Sequence, residues 1–247
     1  RFPKEFIVPL FFYYFDPTYI LVLIGLVISV WAQISVNSTF KKYSKMNTLS
    51  GVSGKEAAEI VLRSGGATNV PVGAISGELT DHYDPRSNSI SLSTPVYSAR
   101  TAAAVGVAAH EAGHALQYAK NYAPIKIRMA ILPVCNFASG ASLPLFLIGL
   151  FVSMYSYSPS PVGTAMMYGG IIAFSVAALF QLVTLPVEFN ASRRAMQALT
   201  ASGRFTDEEL DGARRVLRAA AMTYIAALAV SLLQILRLLL IAGNRRD

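Results

Sequence analysis

Between Arg128 and Glu188 the chain has no charged residue and no histidine for 59 residues. One helix needs only ~20 apolar residues to cross ~30 Å of hydrocarbon, so the run reads as two crossings. They are joined at Tyr155 to Gly163, where Ser158-Pro159-Ser160-Pro161-Val162-Gly163 is a turn signal. Of the 247 residues, 53% are hydrophobic and 14% charged, which excludes an ordinary water-soluble monomer. The single cysteine, Cys135, lies inside the charge-free run, so a disulfide scaffold is excluded as well.

Two further spans complete a set of four: roughly Thr18 to Asn37, Ile131 to Met154, Thr164 to Val187, and Ala219 to Leu236. The first opens on Asp16-Pro17-Thr18, a helix-start signal. It reads as an uncleaved anchor, since Ser35 to Phe40 offers no convincing cleavage site. The stretch Arg1 to Phe12 carries no clear signal. The polar segments Lys41 to Arg128 and Glu188 to Arg218 lie on one side and hold 16 of the 21 Lys and Arg residues. Positive-inside bias makes that side cytoplasmic and the Tyr155 to Gly163 hairpin external. The net charge of +7 is thereby assigned to topology, and no nucleic-acid partner is expected.

The organisation is therefore residues 1–40, an N-terminal segment with the first span; 41–130, a cytoplasmic working region; 131–187, a membrane hairpin; 188–218, a second cytoplasmic segment; and 219–247, the last span with its tail. Within 41–130, Gly54 to Ser64 reads as an amphipathic helix stopped by Gly65-Gly66. Ser89 to Ser93 alternates polar and apolar as a short strand, whose exposed edge could pair with an extended substrate. Ala99 to Ala119, rich in alanine and free of proline, reads as a long helix ended at Tyr122-Ala123-Pro124.

On that helix stands His110-Glu111-Ala112-Gly113-His114. Two histidines one turn apart point the same way and can ligate one ion. Glu111, ~100° around the helix, stands beside such an ion, where a carboxylate can move a proton between water and a leaving amine. A catalytic zinc site needs a third protein ligand, with the fourth position left for water. The donors on the same side are His82, Asp84, Glu188 and the acidic cluster Asp207 to Asp211. Glu188 follows the third span directly. On spacing alone it is equally an interfacial carboxylate paired with Arg193 or Arg194.

The strings Leu185-Pro-Val-Glu-Phe-Asn-Ala-Ser-Arg-Arg194, Ala108-Ala-His-Glu-Ala-Gly-His-Ala-Leu-Gln117 and Leu79-Thr-Asp-His-Tyr-Asp-Pro-Arg86 resemble the YugP-like family of bacterial membrane zinc metallopeptidases. Phe15 to Tyr19, Tyr122 to Pro124 and Ala219 to Ala226 fit the same pattern. More distantly, the Glu188 segment resembles the Glu-aromatic-x-Ala-Asp signature of membrane metallopeptidases of the HtpX and CAAX-prenyl type, in which that glutamate is the third zinc ligand. The likeness implies a mainly α, polytopic membrane protein with about four transmembrane helices and a membrane-abutting zincin-like domain with a short β element. It also implies Zn²⁺ on His110, His114 and Glu188, with Glu111 as general base and acid. Those relatives carry aspartate where this chain has Ser192, so that contact must be weaker or supplied elsewhere.

The expected activity is a zinc-dependent metalloendopeptidase of the HExxH…E, gluzincin-like kind, in the multi-pass cell membrane. It would act on peptide or protein substrates, including unfolded or membrane-protein segments, at the cytoplasmic face. An oxyanion donor is expected too, His82 first, then Tyr83, Arg193 and Tyr224. Two other readings are a non-catalytic zinc-stabilised scaffold, which would have no use for Glu111, and an intramembrane, site-2-like protease, suggested by apolar Ala102 to Ala109.

Overall fold

The structure is a computed structural model describing residues 16–155 and 160–243. The Arg1 to Phe12 stretch and residues 156–159 of the Tyr155 to Gly163 turn lie outside the described residues. In chain order the elements are α1 (Tyr19–Tyr43), α2 (Gly54–Ser64), β1 (Val72–Ile75), β2 (His82–Asp84), β3 (Ser89–Ser93), α3 (Thr94–Ser98), α4 (Ala102–Ala119), α5 (Ala123–Met154), α6 (Pro161–Ala201) and α7 (Asp207–Gly243). The fold is mainly helical with one small sheet. α1, α5, α6 and α7 are long and apolar enough to cross a membrane. The chain divides into two compact units, one of Arg1–Val30, Leu132–Gln181 and Ala226–Asp247, the other of Trp31–Ile131 and Leu182–Ile225.

In the first unit, Leu23, Val27, Phe137, Phe151 and Ile172 are exposed. Apolar surface of that extent fits lipid rather than water. Its interior gathers Phe146, Met167, Ile171, Leu238 and Ala242. A Cβ at Gly149 would lie 2.6 Å from both the Gly163 carbonyl oxygen and the Met167 nitrogen. Only glycine permits that approach of α5 to α6, the small-residue contact typical of helices packing in lipid.

The second unit is built around α4, with Ala102–Val105, Ala108, Ala109, Ala112, Ala115 and Leu116 all buried. Alanine on every side lets neighbouring elements approach closely. Val61 and Leu62 of α2, Ile90 and Leu92 of β3, Ala195 and Leu199 of α6, and Leu210 and Leu217 of α7 share its core. The apolar character of Ala102 to Ala109 thus reflects burial in protein, and α4 is not among the helices long and apolar enough to span. The helix starts at Ala102 rather than Ala99, because Thr101 is its N-cap and accepts a hydrogen bond from the Ala104 amide.

Two strands escaped the sequence reading, and they overturn one expectation. The sheet order is β1-β3-β2, with β3 parallel to β1 (Val72 opposite Ile90) and antiparallel to β2 (Tyr83 opposite Ile90). β3 is therefore the central strand, without the open edge expected of it; the outer edges belong to β1 and β2. The Asp81 carboxylate accepts from the Ser93 amide (2.8 Å) and hydroxyl, clamping the start of β2 to the end of β3.

The long helices overrun their apolar spans, α6 and α7 furthest. α6 continues past Val187 to Ala201, and α7 begins at Asp207 instead of Ala219. Hydropathy marks only the apolar part of a helix. At the start of α7, Thr206 and Glu209 form reciprocal cap bonds: the Thr206 amide donates to Glu209 (2.6 Å) and the Glu209 amide to Thr206 (3.3 Å). Glu209 also accepts from the Leu49 amide at 2.6 Å. The acidic cluster thus supplies a helix start.

Candidate metal centre

His110 and His114 project from one face of α4, their rings 4.7 Å apart and nearly perpendicular. Glu188 approaches from α6 and is buried. Its Oε2 lies 3.2 Å from His110 Nε2 and 3.5 Å from His114 Nε2. Three donor atoms, one from each residue, lie within 4.8 Å of one another. Metal–ligand bonds of ~2.0–2.1 Å in a tetrahedron set neighbouring donors ~3.3 Å apart, so the two carboxylate–imidazole separations suit a single zinc-sized ion. Two imidazoles and a carboxylate are also the donor chemistry of catalytic zinc sites.

Each donor is oriented from behind. Gln117, fully buried, donates through Nε2 to the Val187 carbonyl at 2.7 Å and to Asn190 Oδ1 at 3.1 Å. Its Oε1 is therefore the atom facing His114 Nδ1, 3.0 Å away, and an acceptor there requires the proton on Nδ1. That leaves the Nε2 lone pair for a ligand role. His110 Nδ1 is held by Ser192 Oγ at 3.1 Å. Ser192 itself makes this contact, a neutral one, at the position where the sequence left the partner open. On the far side of Glu188, Arg128 Nη1 donates to Oε1 at 2.9 Å. Gln117 and Arg128 were missed as site residues. The signal for Gln117 was its position one turn after His114; for Arg128, its place as the last charge before the long apolar run.

Glu111 Oε2 accepts the Tyr83 amide of β2 at 3.0 Å. Burial pushes the Glu111 carboxyl above its ordinary value, against the lowering pull of His110 and His114. These groups line a cleft of about 260 Å³. His82 lies on its wall, exposed, in strand β2. Its Nδ1 donates to the Thr80 carbonyl at 2.8 Å, so the neutral ring has no proton on Nε2 to offer an oxyanion. Tyr83, Arg128 and Tyr224 also line this cleft. Arg193 does not; it lines a different groove. Among the described residues, neither His82, Asp84 nor the Asp207 to Asp211 cluster joins the three-residue group.

A family model described as "Putative neutral zinc metallopeptidase" matches residues 18–243. The chain belongs to that family. It is also 46% identical over 228 residues to the "Putative membrane protease YugP" of Bacillus subtilis (strain 168), spanning 92% of this chain and 97% of that relative. No solved structure matches the chain. Kinship with a membrane protease and four apolar helices make this family member a membrane protein. The family is described as one of zinc metallopeptidases, and His110, His114 and Glu188 are the residues that could hold the ion.

Proposed function

We propose that the protein is a zinc-dependent metalloendopeptidase that hydrolyses peptide bonds of protein or peptide substrates at the cytoplasmic membrane face. The observation that carries this reading is the convergence of His110, His114 and Glu188 with Glu111 beside them. His110, His114 and Glu188 would hold a zinc ion, which would supply Lewis acidity toward water and the scissile carbonyl. Glu111 accepts the proton of the attacking water and passes it to the leaving amine. The Tyr83 amide holds Glu111 Oε2, which fixes the carboxylate and leaves Oε1 for the proton. Arg128 and Tyr224 line the cleft as donors for the developing oxyanion; the Tyr83 hydroxyl donates to Asn88 Oδ1 instead, and His82 can serve only as an imidazolium, given its Thr80 bond. Extended substrates, including unfolded and membrane-protein segments, would pair with an outer strand edge. The charge distribution supports a cytoplasmic site in the plasma membrane.

The test is Glu111→Gln in the full-length protein, with zinc content and hydrolysis of an unstructured polypeptide measured together. Zinc should stay at the wild-type level while turnover falls by about 10²–10⁴-fold. Wild-type turnover by this variant would refute the mechanism. A zinc-loaded wild type without hydrolysis would favour the scaffold reading.

A further inference from the structure

A groove of about 630 Å³ runs between α6 and α7, on residues that, Ser192 apart, the peptidase reading does not use. We infer that it binds an anionic phospholipid, with acyl chain along Phe189, Met196 and Leu217 and phosphate at Arg193, Arg214 and Arg218.

Three observations carry this. First, the groove sits at interfacial depth by sequence. Arg218 directly precedes a charge-free stretch, residues 219–236, and Phe189 lies just beyond the charge-free stretch that ends at Val187. Second, its three arginines are in no ion pair or hydrogen bond among the described residues. Asp211, whose carboxyl senses Arg214 and Arg218, is itself bound to Arg215 at 2.6 Å. Basic pockets between membrane helices on the cytoplasmic side suit anionic headgroups in this way. Third, the floor is apolar, with Phe189 44% exposed toward it. A small anion would occupy the cationic rim and leave that floor bare, whereas an amphiphile with an anionic head uses both. The groove also shares Ser192 with the metal centre, since Ser192 lines it and meets His110 Nδ1. A bound lipid would touch the turn of α6 that carries Glu188 and Ser192.

The experiment measures lipid binding by native mass spectrometry of the full-length protein in neutral detergent, so its outcome is independent of any peptidase activity. Phosphatidylglycerol should bind at least about tenfold more tightly than phosphatidylcholine of the same acyl chains, since both carry the phosphate but only phosphatidylglycerol has a net negative charge. Each of Arg193→Gln, Arg214→Gln and Arg218→Gln should weaken phosphatidylglycerol by about fivefold, and the triple variant by about a hundredfold. Arg63→Gln, on an exposed arginine outside the groove, should change nothing. Thr200→Trp, which keeps all three arginines but fills the groove from its exposed rim, should also weaken binding; this arm and the single variants decide the matter if the triple variant does not fold. Equal binding of the two lipids, wild-type binding by the arginine variants, or displacement of phosphatidylglycerol by inorganic phosphate or by an acidic peptide at equal concentration would overturn the assignment.

Discussion

Gln117 shows how one buried side chain sets the chemistry of another. Its amide nitrogen is committed to α6, so its oxygen dictates which nitrogen of His114 carries the proton. Gln117→Leu should therefore weaken zinc binding by about 10–100-fold in a chelator competition. Wild-type affinity in the leucine variant would show that the contact does not orient the ligand. His110, Glu111 and His114 were legible in the sequence because they share one helix and their spacing fixes their directions. Glu188 was not legible from spacing, since it reaches the site from a helix 74 residues after His114 in sequence; family resemblance singled it out. The roles of Gln117, Ser192 and Arg128 depend on how α4, α5 and α6 pack, which no local pattern encodes.

That packing has a tight point at Gly113. A Cβ there would strike the carbonyl oxygen of Ala191, midway between Glu188 and Arg194 on α6. Gly113→Ala should push α6 away from α4, destabilise the protein by about 1–3 kcal/mol and lower zinc affinity. A thermal melt and a zinc titration check both, and an unchanged affinity would mean that Glu188 tolerates the shift. The helix α2 offers a test of a different kind. Ser53 and Glu56 form a capping box, and bonds from the Ser53 amide and hydroxyl hold the Glu56 carboxyl below its ordinary value of 4.5. A depressed folded value means that the contribution is complete above 4.5 and fades as pH falls through the folded value. Glu56→Ala, at an exposed and solvent-screened site, should cost about 0.5 kcal/mol at neutral pH. The gap to wild type should close in acid; a gap that persists there would contradict the cap. α2 and β3 matched their sequence signals closely. β1 and β2 did not register, being only four and three residues long and paired through register with β3, and the expected free edge of β3 was lost with them.

Four apolar helices were readable from composition, because exclusion of charge from hydrocarbon leaves long uncharged runs. Their true lengths were not, since α6 and α7 continue as helices through polar sequence beyond those runs. The proposed orientation rests on charge alone and is open to a direct check. In a Cys135→Ala background, a cysteine at Ser87 should resist an impermeant thiol reagent in intact cells and react after lysis. A cysteine at the exposed Val162 should react from outside; the opposite pattern would invert the topology. The account as a whole depends on one ion gripped by two imidazoles of α4 and a carboxylate of α6. Zinc content and X-ray absorption of the purified protein address this together. One zinc per chain is expected, in a nitrogen and oxygen shell at ~2.0–2.1 Å, with occupancy falling in Glu188→Ala. Wild-type protein without stoichiometric transition metal, or full zinc occupancy in Glu188→Ala, would contradict it.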